Sequence, residues 1–400
     1  MTKIRKVAVL KDTSKPMLGG HGLHNAFRGL PNVEVVAHVD SNPDQLAEKL
    51  DSSGARRHYA DYQEMLDKES PDIVVLCSRH PGDHLPQIRA AAERGCHVYC
   101  EKPLAANLSE VDEIVRIAEA AKIKVCMAHP ARYDLSFLTM KQMIEDGEIG
   151  TPLTAYGRGK CDHRGGGEDL IVLGTHMLDF QAFLFGAPES VMAEVTLKNR
   201  PIVAEDKEKE TAEPIGPSAG DNLFASFRFP NGVRGIFETR RGLTSVEGVR
   251  ENGIVHMGLT VVGTRGAISM RFKDQAGPPD ETLRIRRRPG PIEDGSAFEE
   301  VPVKEERFIP GAEPLDFSRC GRTVDVPEAP LFLYSNRFAA WDLLSAIAGN
   351  RQPVSNLYSA RLAQEMIQGI YASSLSRSAV AFPLANRNHP LDQGLWQVRF

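Results

Sequence analysis

Two clusters of residues in this 400-residue chain have types and spacing suited to chemistry. The first is Glu101-Lys102-Pro103, placed where the short apolar run 97–100 ends. In an open α/β sheet, ligands bind beyond the carboxyl ends of the strands, so this strand delivers an acid and an amine to that crevice. Pro103 fixes its own φ and steers Lys102 away from helical dihedrals, which holds the amine extended. The alternative is an ion-paired surface turn of little energetic weight. The second cluster is Gly165-Gly166-Gly167-Glu168-Asp169, running into a helical stretch that carries His176 and Asp179. Glycines ahead of a helix let a ligand lie close to the backbone, and acids suit a helix N-terminus. His176 and Asp179 are three residues apart and so share a face. An imidazole with a pKa of about 6.5 is a natural proton carrier for an alcohol–ketone interconversion. Paired by a polar neighbour, the same histidine is structural.

A third group suits a nucleotide. The first strand, 7–10, is not followed by G-x-G-x-x-G; residues 11–18 intervene, and Gly19-Gly20-His21-Gly22 then opens a helix near Leu23. Glycines at a strand-to-helix turn let backbone N–H groups approach a pyrophosphate, with the helix dipole behind them. An ordinary glycine-rich loop has the same composition. Asp40 ends the second strand, where an acid accepts hydrogen bonds from a ribose diol and repels a 2′-phosphate. That choice favours NAD over NADP, and Ser41 and Asn42 soften it.

The elements that must position these groups follow from periodicity. Strands are expected over 7–10, 33–40, 73–77, 97–100 and 124–128. Helices are expected from Leu23 and over 43–51 with Asn42 as cap, 61–68, 85–94 closed by Gly95, and 109–121 with a Ser109/Asp112 capping box. Strands alternating with such helices make a parallel, doubly wound sheet, so residues 1–128 form a Rossmann domain. Residues 129–400 form an α+β domain with an open, largely antiparallel sheet. It has helices over 138–146 and 170–185, strands over 151–159, 223–229, 233–239, 256–262, 267–272 and 282–286, and a helix pair, 338–348 and 359–374, that packs back on the first domain. Residues 201–221, with the charge run 205–210, read as a solvated loop. The basic stretch 284–288 reads as an edge-strand face or an anion site.

Composition narrows the classes. Hydrophobic residues make up 42% of the chain and charged ones 25%, and the net charge is −5, which gives no sign of a nucleic-acid partner. No apolar run reaches the roughly 18 residues of a membrane span. Residues 2–10 read as a first strand, not a signal peptide. The six cysteines lack a CxxC spacing and fit reduced thiols in a cytoplasm. His80 and His84 lie one helical turn apart, but no third ligand is placed by sequence, and His163 with Asp162 is equally unsupported, so no metal is expected.

Taken together, the clusters resemble the glucose-fructose oxidoreductase and inositol dehydrogenase family (Gfo/Idh/MocA), NAD(P)-dependent dehydrogenases of sugars and cyclitols. The resemblance runs along nearly the whole chain: Asp40, His84, Cys100-Glu101-Lys102-Pro103, Arg132-Tyr133, Gly150-Thr151-Pro152-Leu153, Gly174-Thr175-His176-Met177-Leu178-Asp179 and Pro230-Asn231-Gly232. It implies that Lys102 contacts the reacting hydroxyl and that His176 is catalytic or orients the substrate. It implies cofactor contacts at Gly19, Gly20, His21, Gly22, Leu23, Asp40, Ser78, His84, Glu101 and Lys102. The substrate candidates are Asp169, Arg132, Tyr133, Asp162 and Arg164. The chain departs from the family at the displaced nucleotide loop and at Val172, where sugar dehydrogenases commonly carry an aspartate four residues before the histidine. Asp169, seven residues before His176, lies on the same helical face about 10 Å along the axis. The expected activity is hydride transfer between a nicotinamide and a carbinol of a sugar, sugar derivative or cyclitol. The alternatives are transient oxidation by tightly held NAD in a net elimination, hydrolysis or epimerisation, and a non-catalytic nucleotide sensor. The family's open sheet implies a homo-oligomer, dimer or tetramer.

Overall fold

The computed structural model describes residues 3–15, 21–243, 257–271, 283–287, 298–303, 307–315 and 330–392. Gly19 and Gly20, and the outer residues of the strands expected over 256–262, 267–272 and 282–286, lie outside them. The chain divides into two compact units, Met1–Asp134 with Glu306–Arg361 and Leu135–Glu305 with Leu362–Phe400.

In the first unit the strands are β1 (Arg5–Leu10), β2 (Val33–Val39), β3 (Arg57–Tyr59), β4 (Ile73–Leu76), β5 (His97–Cys100) and β6 (Val125–Met127). They form one sheet in the order β3-β2-β1-β4-β5-β6, and every pairing is parallel. Both faces are covered, which is why β4 is four consecutive buried apolar residues with no alternation. Successive side chains point to opposite faces. Ala8, Leu10, Val74 and Leu76 therefore pack with Met65 of helix α2 (Tyr62–Glu69), Ile88 of α3 (Pro81–Glu93) and Val111 of α4 (Leu108–Ala120). On the other face Val7, Val9, Ile73 and Val75 meet Leu23, Phe27 and Leu343. The remaining helix between strands, α1, spans Leu46–Ser53.

Several local expectations change. The helix expected from Leu23 is a single 3₁₀ turn, Leu23–Asn25, entered through Gly22 at φ 74° and followed by Gly29 at φ 69°, both left-handed. Asn42 does not cap α1. Its side chain accepts from the Asp44 N–H, and the helix starts later, behind Gln45. Helix α4 is capped by Asn107, whose Oδ1 accepts from the Glu110 N–H at 2.9 Å, so the Ser109/Asp112 box does not form. Helix α3 begins four residues earlier than expected because Pro81 takes the first helical position, where a missing N–H costs nothing. Strand β3 has no apolar run of its own and owes its existence to pairing with β2.

The second unit is built on one ten-stranded sheet. Helix α5 (Leu135–Glu145) precedes β7 (Pro152–Arg158), a short helix α6 (Gly167–Asp169), a π-helical turn (Leu170–Gly174) and α7 (Thr175–Phe185). Strands β8 (Ser190–Leu197), β9 (Arg200–Pro201), β10 (Asn222–Arg228), β11 (Arg234–Arg240), β12 (Gly258–Gly263), β13 (Gly266–Arg271), β14 (Leu283–Arg286) and β15 (Glu299–Glu300) follow. Helix α8 (Pro330–Ala348) belongs to the first unit, and it starts eight residues ahead of the expected helix. Helix α9 (Leu357–Ser376) leads to a last strand, β16 (Val380–Ala381), which pairs with β8. Pairing is antiparallel except between β7 and β11. The loop 201–221 is solvated along its charge run but not throughout, since Glu213, Ile215, Ser218 and Ala219 are buried.

Candidate active site

In the first unit, chemistry collects at the carboxyl ends of the strands. Lys102 follows β5 and is 0% exposed; its peptide bond to Pro103 is cis. An ion-paired surface turn is therefore not what this sequence forms. The preceding carboxylate is turned inward. Glu101 Oε1 lies 2.8 Å from Nδ1 of His21, and Oε2 accepts the Lys102 N–H at 3.0 Å. Burial opposes the Glu101 charge, but His21 and then Arg79 and Lys102 outweigh it and hold its pKa below the usual range. Burial lowers the pKa of His21 against the pull of Glu101. The His21 ring stacks on Phe332, and its carbonyl accepts from Asn336, so this loop residue is a fixed strut beneath the lysine.

His84, expected at the cofactor, is fully buried. Its ring bridges the carbonyls of Ser78 at 2.8 Å and Leu104 at 3.0 Å, tying together the loops after β4 and β5. Ser78 donates its hydroxyl to Asp83 at 2.6 Å. Leu23 sits in the core beside Val7 and Val9, where it packs instead of facing solvent. Asp40 is buried against Thr13, Asn42 and Lys49. Of the substrate candidates in this unit, Arg132 reaches the Val354 carbonyl at 3.2 Å. The Tyr133 hydroxyl donates to Asp342 at 2.9 Å and accepts from the Ser355 N–H at 2.9 Å, which accounts for a phenol and makes Tyr133 a brace.

In the second unit His176 and Asp179 are buried on α7. The segment ahead of them departs from the expected geometry. The π-helical turn at Leu170–Gly174 has a wider winding than an α-helix, so counting seven residues from Asp169 no longer places it on the His176 face. Val172 lies within that turn and is buried. The three glycines serve packing against the chain itself. A Cβ at Gly165 would meet the Arg240 backbone, one at Gly166 the Gly220 carbonyl, and one at Gly167 the Ala219 carbonyl, at 2.3, 2.4 and 2.2 Å. Asp162 and Arg164 pair with each other at 2.5 Å, and Arg164 continues to Glu213 at 2.6 Å, so the guanidinium is spent on a network. Glu213 has no sequence signal other than its place in a charged loop.

Asp169 keeps capacity. It is fully buried, with Oδ2 accepting from the Thr239 hydroxyl at 2.6 Å, while Oδ1 has no partner. Burial raises its pKa, against the hydrogen bond from Thr239. Gly159 makes room for it, because a Cβ there would come within 2.2 Å of Oδ2. Lys160 is close enough to lower that pKa, and its own is lowered first by burial and then by Arg164. Cys161 between them holds a left-handed φ of 56°.

The donor set of the first unit fits a dinucleotide. Buried cations, Lys11, Arg79 and Lys102, gather at the carboxyl ends of β1, β4 and β5. Lys11 lies 3.3 Å from Nδ1 of His24; with the amine as donor, the ring proton falls on Nε2, a buried group with no partner. A diphosphate satisfies such donors.

A six-stranded parallel sheet in this order, with charged strand ends and an appended open sheet, defines a two-unit dinucleotide-binding oxidoreductase fold. The profile described as an oxidoreductase family with an NAD-binding Rossmann fold matches residues 18–129, and that of the GFO/IDH/MocA C-terminal domain matches residues 137–269. The chain belongs to the GFO/IDH/MocA family, and its first unit carries the family's NAD-binding fold. Among curated relatives, a myo-inositol 2-dehydrogenase of Thermotoga maritima is 27% identical over 208 residues, 52% of this chain and 61% of the relative. A D-apiose dehydrogenase of Paraburkholderia graminis is 29% identical over 192 residues, 46% of this chain and 51% of the relative. The chain thus matches little more than half the length of these relatives. Of solved structures, a levoglucosan dehydrogenase with NADH and levoglucosan aligns at a TM-score of 0.68 and 20% identity, covering 95% of this chain and 99% of that one. An oxidoreductase from Kribbella flavida gives 0.70 at 18% identity, with 96% and 100% covered. These two likenesses are of fold.

Proposed function

We propose that the protein is an NAD(P)-dependent oxidoreductase that moves hydride between the nicotinamide and a hydroxyl-bearing carbon of a sugar, sugar derivative or cyclitol. The observation that carries this reading is the buried Lys102 at the end of β5, its backbone anchored by Glu101. Bound nicotinamide supplies the hydride acceptor or donor. In oxidation Lys102 as the neutral amine takes the carbinol proton while hydride leaves for the nicotinamide, and the ammonium so formed stabilises the oxygen's developing negative charge; in reduction it returns the proton. His176 takes the family's second role, orienting the substrate or sharing the proton. Asp169 offers Oδ1 to a substrate hydroxyl, the partner that this buried oxygen lacks. The five described cysteines are free and buried, which supports the cytoplasmic reading.

Val172 favours a second reading, since a valine cannot replace the acid common at that position. The substrate would then be oxidised transiently by NAD that stays bound, and the net change would be elimination, hydrolysis or epimerisation. One experiment separates the readings. The purified protein is analysed by mass spectrometry for bound nicotinamide cofactor, then given sugars, cyclitols and glycosides while NADH and product mass are followed. NADH formed in step with product supports the dehydrogenase. Product without NADH selects transient oxidation, and bound cofactor with no turnover on any substrate selects a nucleotide sensor.

We also propose that the open face of the second unit's sheet pairs with a second copy, as the family resemblance implies. Tyr156, Met192 and Phe224 on that face are 48%, 55% and 46% exposed, a costly display for an isolated subunit. Tyr156 and Met192 lie on one row, through Ile236 and Ser226. Sedimentation is expected to give a dimer or tetramer of the 44.0 kDa chain; a monomer at micromolar concentration would exclude the pairing.

A further inference from the structure

We infer that Lys49 makes the nucleotide site accept NADP(H) about as well as NAD(H), because the acid at the end of β2 is spent inside the protein. A carboxylate has roughly four acceptor positions. All four of those on Asp40 are taken. Oδ1 accepts from the Thr13 N–H at 3.0 Å and the Asn42 N–H at 2.9 Å, and Oδ2 accepts from the Thr13 hydroxyl at 2.7 Å and the Lys49 ammonium at 2.8 Å. Asp40 is 0% exposed, and the Lys49 side chain 12%. A ribose diol needs two of those acceptor positions, and it gains them only by displacing Thr13 or Lys49.

The rule that an acid here excludes a 2′-phosphate rests on unpaired negative charge. Lys49 cancels that charge at contact distance, and it is held in place by a second hydrogen bond to the Asn42 carbonyl at 2.8 Å. The other acid at this edge, Asp12, receives the hydroxyls of Ser14 and Ser41 at 2.6 and 2.8 Å. Lys15, paired with Asp83 at 2.7 Å, stands near enough to favour the ionised form of Asp12. The rim therefore carries one acid, Asp40, matched by Lys49 and a second, Asp12, held by the hydroxyls of the exposed Ser14 and Ser41, while Lys15 is taken by Asp83. At Asp40, the acid at the end of β2, such a rim neither rewards a bare ribose nor repels a phosphate.

The inference rests on the nicotinamide-cofactor reading, and its test uses no substrate. NAD+ and NADP+ are titrated calorimetrically into the full-length protein stripped of nucleotide. A ratio of the two Kd values within tenfold is expected, and tighter binding of NAD+ by more than tenfold overturns the inference. Lys49→Met leaves Asp40 uncompensated and is expected to weaken NADP+ binding at least tenfold more than NAD+ binding. An unchanged ratio in that variant overturns the role of Lys49. Should Lys49→Met not fold, Lys49→Arg keeps the charge and is expected to keep the wild-type ratio, and a shift of more than tenfold towards NAD+ overturns it. Failure of every sugar and cyclitol to turn over would sink the substrate assignment without touching these binding ratios.

Discussion

Lys102→Met is expected to lower turnover at least about a thousandfold while leaving NAD+ affinity within about threefold. General acid–base groups contribute on the order of 10² to 10⁴ in rate, and electrostatic relief of a developing alkoxide adds to that where water is excluded. In the proposed role Lys102 combines both tasks, and its full burial makes the second one large. Methionine keeps an unbranched stem of similar length, with sulfur in place of one methylene, and lacks the ammonium, so the packing of the turn changes little. The Glu101 carboxylate loses one of its cations but keeps His21 at 2.8 Å and the nearby Arg79. The other buried cations at the strand ends, Lys11 and Arg79, are untouched, and they are expected to sustain binding. Steady-state rates on the best carbinol, with NAD+ titration of the same sample, check this. A kcat within tenfold of wild type would return Lys102 to a structural role.

The placement of Lys102 at the end of a buried strand was legible because its surroundings are local. The strand 97–100 and Pro103 are neighbours in sequence, and a parallel sheet betrays itself through runs such as Ile73–Leu76 that need no alternation. What supports the lysine was not legible. The strut under Glu101 is His21, 80 residues away, and nothing in a glycine-rich loop says which carboxylate its histidine will meet. The same limit applies to Tyr133, whose partners Asp342 and Ser355 lie more than 200 residues on. The face shared by Asp169 and His176 failed for another reason: Leu170–Gly174 has an ordinary helical composition, and only the backbone reveals the wider π winding. Asp40 was legible as a strand-end acid, but Thr13 and Lys49, which consume it, become neighbours only through the fold.

The glycines 165–167 pose the sharpest ambiguity, because a glycine that admits a ligand and one that admits the chain's own backbone look alike in sequence. Gly167→Ala separates them. In a helix, alanine is favoured over glycine by about 1 kcal/mol. Against that stands a Cβ 2.2 Å from the Ala219 carbonyl oxygen and 2.7 Å from its carbon and nitrogen, all backbone atoms that cannot rotate away. Relief requires moving residues 219–221, which also carry the Gly220 carbonyl that accepts the Gly167 N–H at 3.0 Å. Overpacking of this kind costs about 1–3 kcal/mol and sometimes more; against rigid backbone the upper end applies, and after the helix gain the net loss is expected at about 2 kcal/mol. For a unit of this size that lowers Tm by roughly 4–8 °C. Gly82→Ala is the control: it lies in helix α3, and a Cβ there meets nothing within 4 Å. The same propensity then acts unopposed, and Tm is expected to rise by roughly 1–3 °C. Calorimetric scans of both variants decide the matter. Packing predicts opposite signs for Gly167→Ala and Gly82→Ala. A Gly167→Ala protein that melts like wild type but binds substrate poorly would show that these glycines make room for a ligand instead.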